Sequence, residues 1–101
     1  MTLADNTTYR IKLNATGRRS DGTLGVASFT LEGTFYRDSA SAAIAAGSPI
    51  STLNGADGDG VLWACVFGLS GNDVVGVVYG TAGSTIQWSL SIEWQAVSLA
   101  S

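Results

Sequence analysis

The stretch Ile86-Gln87-Trp88-Ser89-Leu90-Ser91-Ile92-Glu93-Trp94-Gln95-Ala96 decides the fold. Ile86, Trp88, Leu90, Ile92, Trp94 and Ala96 alternate with Gln87, Ser89, Ser91, Glu93 and Gln95. A strict period of two belongs to a β-strand with one face in water and the other buried. Two tryptophans and three branched aliphatics on one face predict the heart of a core, each contributing about 1.5–3 kcal/mol when fully buried. A slip of one residue would turn the whole set to solvent, so the pattern fixes the register.

The same period recurs upstream. Tyr9, Ile11, Leu13 and Ala15 alternate with Arg10, Lys12, Asn14 and Thr16, which predicts a first strand. The polar run Arg18 to Thr23, with a central Asp21-Gly22, reads as a hairpin loop. Ala27, Phe29, Leu31 and Phe35 alternate with Ser28, Thr30, Glu32 and Thr34 in a long second strand. The Ala- and Ser-rich run from Asp38 to Ser48 has no helical periodicity and is expected to be an irregular connection. Pro49 opens a short strand through Leu53, and Asn54 to Gly60 reads as a turn by composition. Val61, Trp63, Cys65, Phe67 and Leu69 are expected on one face of the next strand. Leu62, Ala64 and Val66 are on the other, so both faces are expected to be covered. Val74 to Tyr79 is another strand. Short turns near Val61, Val74 and Thr85 predict an antiparallel meander over the last three strands, opposed by a sheet of the earlier ones. The predicted class is all-β, an antiparallel β-sandwich of jelly-roll-like topology. Residues 1–8 are expected to form an N-terminal arm and residues 9–101 a single domain, since 101 residues leave room for one core.

Charged residues are only 13% of the chain, about half the usual share, while hydrophobic residues are 46%. A small domain has much surface to solvate, so scarcity of charge predicts that part of the surface is covered by other subunits. The net charge of −3 argues against nucleic-acid binding, which needs a basic footprint. All five basic residues, Arg10, Lys12, Arg18, Arg19 and Arg37, precede Asp38. This asymmetry reads either as chance with a solubilising role or as a cationic edge that docks on an acidic neighbour. No apolar run is long enough to span a membrane as a helix, and the start of the sequence does not read as a signal peptide. The lone cysteine, Cys65, sits in an apolar run and is expected to be a buried free thiol. Folding in a reducing cytoplasm fits these features.

Chemistry is hard to place on this sequence. It has no histidine, which removes the Ser-His-Asp and Cys-His arrangements and His-containing zinc sites. Lys12, the one lysine, is on the polar face of its strand. Glu32 and Glu93 lie on predicted strands and read as a solvated polar face rather than a catalytic pair. Asn54, Asp57 and Asp59 offer oxygen ligands in a Gly-rich stretch, but position twelve counted from Asp57 is Gly68 instead of the glutamate a calcium loop needs. The expectation is a protein that is not an enzyme and that has no cofactor and no metal. Trp63, Trp88 and Trp94 read as core, and Tyr36 as the aromatic expected to be exposed for contact.

The segment Val77-Val78-Tyr79-Gly80-Thr81-Ala82-Gly83-Ser84-Thr85-Ile86-Gln87-Trp88, continuing to Trp94, resembles a hairpin that closes a β-rich module of tailed-bacteriophage structural proteins. Asp21-Gly22-Thr23, Phe29-Thr30-Leu31-Glu32-Gly33 and Trp63 are similar to that group as well. The resemblance implies a non-enzymatic virion protein, usually trimeric, and transfers no functional residue, because the shared positions are core and turn. With no shaft in the sequence, the expectation is a capsid decoration (cement) protein on the outer surface of the head, made in the host bacterial cytoplasm. Its expected partners are the major capsid protein and itself, as a homotrimer, with no nucleic acid and no membrane. The expected contacts are the N-terminal arm with Arg10, Arg18, Arg19, Tyr36 and Arg37. The alternative is a tail-fibre or baseplate knob that binds a host-surface receptor.

Overall fold

The computed structural model describes residues 1–98. Among the described residues there are seven strands, β1 (Thr7–Arg19), β2 (Gly25–Arg37), β3 (Ile44–Ala45), β4 (Ile50–Gly58), β5 (Ala64–Ser70), β6 (Asp73–Tyr79) and β7 (Ile86–Ser98), with one 3₁₀ turn at Asp59–Leu62. The fold is all-β and antiparallel. β2 is flanked by β1 on one side and by β3 and β4 on the other, and β7 adds beyond β1. β5 and β6 form a separate two-stranded sheet.

The predicted alternation places the long strands as expected. Ile11, Leu13 and Ala15 of β1 and Ala27, Phe29, Leu31 and Phe35 of β2 are all buried. Leu13 pairs with Leu31 and Ala15 with Phe29, so both strands present one apolar face. The β5–β6 hairpin covers that face. Trp63 and Cys65 join Leu13, Ala15, Ala27, Phe29 and Leu31 in one cluster. Leu3 and Val74 join Tyr9, Ile11, Phe35 and Ala43 in a second. β6 lies directly over β1, since a Cβ on Gly76 would sit 2.8 Å from Leu13 Cδ1. β5 lies toward β4, where the Ser51 hydroxyl donates to the Cys65 carbonyl at 2.7 Å.

Four expectations need correction. β7 is not the heart of the core: Leu90, Ile92 and Trp94 are exposed, and only Ile86 and Trp88 are half-buried. The reason is its place. β7 pairs with β1 along its whole length and does not join β5 and β6 in a meander, and the two-stranded hairpin above is not wide enough to reach it. The segment 54–60 is not a free turn. Its first part belongs to β4, which pairs with the edge of β2 through a register shift at Ser28/Phe29, with Asn54 donating to the Thr30 hydroxyl. β5 is not covered on both faces, because Val66 is exposed on its outer side, and Val61, Leu62 and Leu69 lie outside the core too. Tyr36 is half-buried rather than the most exposed aromatic, a place taken by Tyr79 and Trp94.

Cys65 is buried, and burial pushes its thiol pKa up. The thiolate is the reactive form, so in the native protein Cys65 is expected to react with a disulfide reagent at least ~10-fold more slowly than in the unfolded chain. Absorbance of the released thiol at matched pH, with and without denaturant, checks this; equal rates would place Cys65 at the surface.

Candidate interaction surface

The residues expected to bind partners do not form one site. Arg10 and Tyr36 share the polar face of the large sheet, one pleat apart, since Thr8 pairs with Tyr36 and Arg10 with Thr34. Arg18 is exposed on the same face at the far end of β1, where it pairs with Val26. Arg10 makes an exposed ion pair with Glu32 at 3.4 Å. Such a pair stabilises little and leaves the guanidinium accessible. Glu32 and Glu93 flank Lys12 from either side, so a cation stands between the two carboxylates.

Arg19 and Arg37 are engaged within the chain. Arg37 donates to the carbonyls of Ser41 and Leu3, at 2.8 and 2.9 Å, and pairs with Asp5 at 3.3 Å. Arg19 holds Asp21 in a two-pronged contact of 2.7 and 2.9 Å and also donates to Asp59. Asp21 accepts from the Thr85 amide as well. This cluster ties the β1–β2 loop to the 3₁₀ turn and to the loop before β7. The Arg19 guanidinium holds the Asp21 carboxyl down at about 2 from an ordinary 3.8. A carboxyl depressed on folding stabilises the native state above its unfolded pKa, and that contribution fades as the pH falls through the folded pKa. Stability is therefore expected to lose this contribution between about pH 4 and pH 2, and Asp21→Asn should flatten that limb of the profile. Denaturant melts of both proteins across the window check it; parallel profiles would show the cluster is not coupled to folding.

The N-terminal arm does not reach outward. The Met1 amino nitrogen donates to the Val74 carbonyl at 2.7 Å, the Val74 amide donates back to Met1 at 2.8 Å, and the Leu3 amide donates to Asn72 at 2.9 Å. Residues 1–3 thus dock on the start of β6 through an isolated bridge between Thr2 and Asp73, and Leu3 is buried. The arm borders only the start of β6. Along Val75–Tyr79 no strand pairs with the outer edge of β6 among the described residues.

Below that open edge lies β7. Leu90 is 52% exposed, Ile92 42% and Trp94 56%, although all three point toward the side that the hairpin covers over β1 and β2. Trp94 leans on Tyr9 at 5.8 Å between ring centroids, and Trp88 on Trp63 at 5.5 Å. These two tryptophans bound the uncovered stretch. β7 has only β1 as a neighbour among the described residues, so its other edge is unpaired over thirteen residues. It carries a single charge, Glu93, and neither lysine nor proline, the residues that guard solvent-facing edges. A second apolar surface lies on the outside of the hairpin, where Gly68 packs between Val75 and Val77, and Val66, Val75 and Tyr79 are exposed.

No known protein family, no curated protein and no solved structure matches this chain. The surface therefore has to be read from its own chemistry. No trio of acids or cysteine gathers at a metal-binding distance among the described residues, and Asp57 and Asp59 point into different contacts, one to the Gly58 amide and the other to Arg19. What the surface offers is main-chain hydrogen bonding at two strand edges and an apolar floor between them. These are the elements of strand-mediated protein association. Alternation marks β7 as amphipathic but does not say whether its apolar face is covered, so this surface is not located by the sequence pattern. The accessible signal was the low charge content, which pointed to a covered surface without locating it.

Proposed function

We propose that this chain is a structural, protein-binding subunit of a bacteriophage virion, acting as a decoration protein that binds and stabilises the assembled head from outside. The observation that carries the reading is the exposure of Leu90, Ile92 and Trp94 on a strand patterned for burial. Apolar surface of this kind on a chain with few charges marks a place for another subunit. The resemblance of the Val77–Trp94 region to phage structural modules supplies the virion setting. The two sheets act as a β-sandwich that is half covered in the single chain and completed by assembly. In this reading the exposed Arg10 and Arg18, on the polar face of the large sheet, meet the capsid proteins, while Arg19, Arg37 and the arm hold the subunit together. The resemblance implies a trimer. Among the described residues, no helix is long and apolar enough to cross a membrane.

A protein that binds only the assembled lattice stabilises it by mass action. Purified protein added to capsids that lack it is expected to raise their tolerance to heat, and its copy number in virions should be near that of the major capsid protein or a simple fraction of it. Capsids that gain no tolerance would end this reading. A copy number of a few per cent would favour a tail-fibre or baseplate component that binds a host receptor.

A further inference from the structure

The layers of this fold are unequal. β5 lies toward β4 and over β2, β6 lies over β1, and above β7 there is no strand among the described residues. One side of the fold is bridged by the Ser51–Cys65 contact between β4 and β5, although Leu53 there stays half exposed. The other side is a slot. Its wall is the unpaired edge of β6 from Val75 to Tyr79, and its floor is Leu90 and Ile92 with Trp94 at one end. No side chain of the slot is charged, since β6 from Val74 to Tyr79 has no charged residue and Glu93 points to the opposite face, and the Met1 ammonium at its end is held by the Val74 carbonyl. An occupant must therefore be a strand with one uncharged apolar face and one free edge.

We propose that the occupant is β7 of a second copy of this chain, in a reciprocal two-fold dimer. β7 has both required features: an apolar face of Leu90, Ile92 and Trp94 and an edge without a partner. Placed beside β6 and above β7, the second copy's β7 continues the hairpin sheet of the first. By the two-fold operation, the first copy's β7 does the same for the second. Each large sheet then runs on into the other copy's hairpin, and the two β7 faces pack against each other as the middle of one continuous sandwich. A two-fold contact needs a self-complementary surface, and this slot with its adjoining strand is one. Leu90, Ile92 and Trp94 leave roughly 300 Å² of side chain in water, taking an aromatic as about 150–250 Å² when whole. A stable dimer buries about 800 Å² per partner. The paired edges, Val75–Tyr79 of each β6 and the β7 segment facing it, add to that area.

The inference rests on the reading of the chain as a structural subunit in taking the uncovered side as an interface, and it replaces the trimer that the resemblance implies with a two-fold dimer. Purified full-length protein at micromolar concentration, measured by sedimentation equilibrium, is expected to have twice the chain mass of 10.4 kDa. Leu90→Arg should weaken association at least ~100-fold while keeping the near-ultraviolet circular dichroism of a folded chain, because Leu90 is half exposed in the single subunit. Leu62→Arg, at an exposed position on the 3₁₀ turn, should leave the dimer intact. In case Leu90→Arg does not fold, hydrogen exchange of the unmodified protein gives an independent readout: amides of Val75–Tyr79 and of β7 should slow together as concentration rises. A monomer, a trimer, a dimer untouched by folded Leu90→Arg, or concentration-independent exchange at Val75–Tyr79 would each overturn the proposal. A dimer that does not protect capsids would sink the virion reading alone, and a monomer that does protect them would sink the dimer alone.

Discussion

Trp63→Ala is expected to destabilise the protein by about 3–5 kcal/mol, the range for removing a buried large aromatic. At about 4–8 °C per kcal/mol for a domain of this size, the melting midpoint should fall by at least roughly 12 °C. Trp63 is 4% exposed, stacks on Trp88, and donates its indole N–H to the Thr81 hydroxyl at 2.9 Å. It therefore joins the 3₁₀ turn, the hairpin end and the start of β7 around one side chain. Trp63→Phe keeps most of the packing and loses the hydrogen bond, worth about 1 kcal/mol. Trp94→Ala, measured where the chain is monomeric, should cost only about 1–2 kcal/mol, because Trp94 is 56% exposed and its main contact is Tyr9. Chemical denaturation of the three variants decides the matter. If Trp94→Ala costs as much as Trp63→Ala in the monomer, β7 is a core strand after all.

The contrast between these tryptophans shows what the sequence could reveal. Period-two alternation located the bodies of β1, β2 and β7 and oriented their apolar side chains, because alternation follows from the pleat and is a local property, but Thr7, Thr8, Arg18 and Arg19, read as arm and loop, belong to β1. It did not reveal which apolar faces are covered. Covering depends on how many strands the opposing layer holds and where they sit, which is set by pairings between residues far apart in sequence. β1 and β7 have nearly the same pattern, yet Ile11 is fully buried and its cross-strand partner Trp94 is not. The difference is the position of a hairpin contributed by residues 64–79. The chain reaches β7 only after leaving that hairpin. Adjacency in sequence suggested a meander, but β1 offered β7 a longer partner.

The candidate interface was legible in the same partial way. Scarcity of charge signalled a covered surface and was indifferent to its location. The clustering of basic residues before Asp38 drew attention to Arg19 and Arg37, whose contacts with Asp21, Asp59, Asp5 and main-chain carbonyls are internal. A charge next to a loop can serve docking or hold the loop, and only the distances separate the two. Arg10 and Arg18, on the polar sheet face, remain accessible and keep the role expected of them within the proposed function.

Gly60→Ala should be among the most damaging single substitutions in the chain, costing about 3 kcal/mol or more. By composition, residues 54–60 form a glycine-rich turn, where an added methyl group is harmless. In the structure, Gly60 is buried against β2, and a Cβ built on it would lie 2.0 Å from the Val26 carbonyl oxygen. Both sides of that clash are main chain and neither can yield. Val26 is paired with Arg18 on one side and Asp57 on the other, and the Gly60 carbonyl accepts from the Trp63 amide at 3.1 Å. Relief would require moving the 3₁₀ turn off β2, and with it Trp63, so the substitution reaches the core through the backbone. Gly55→Ala is the matched comparison. It lies five residues earlier in the same stretch, and a Cβ there meets nothing within 4 Å. It should melt within about 1 kcal/mol of the parent. Thermal and denaturant melts of the pair, with soluble yield as a second readout, test the difference. If the two variants behave alike, residues 54–60 are the loose turn their composition suggests and the packing of the 3₁₀ turn on β2 is wrong.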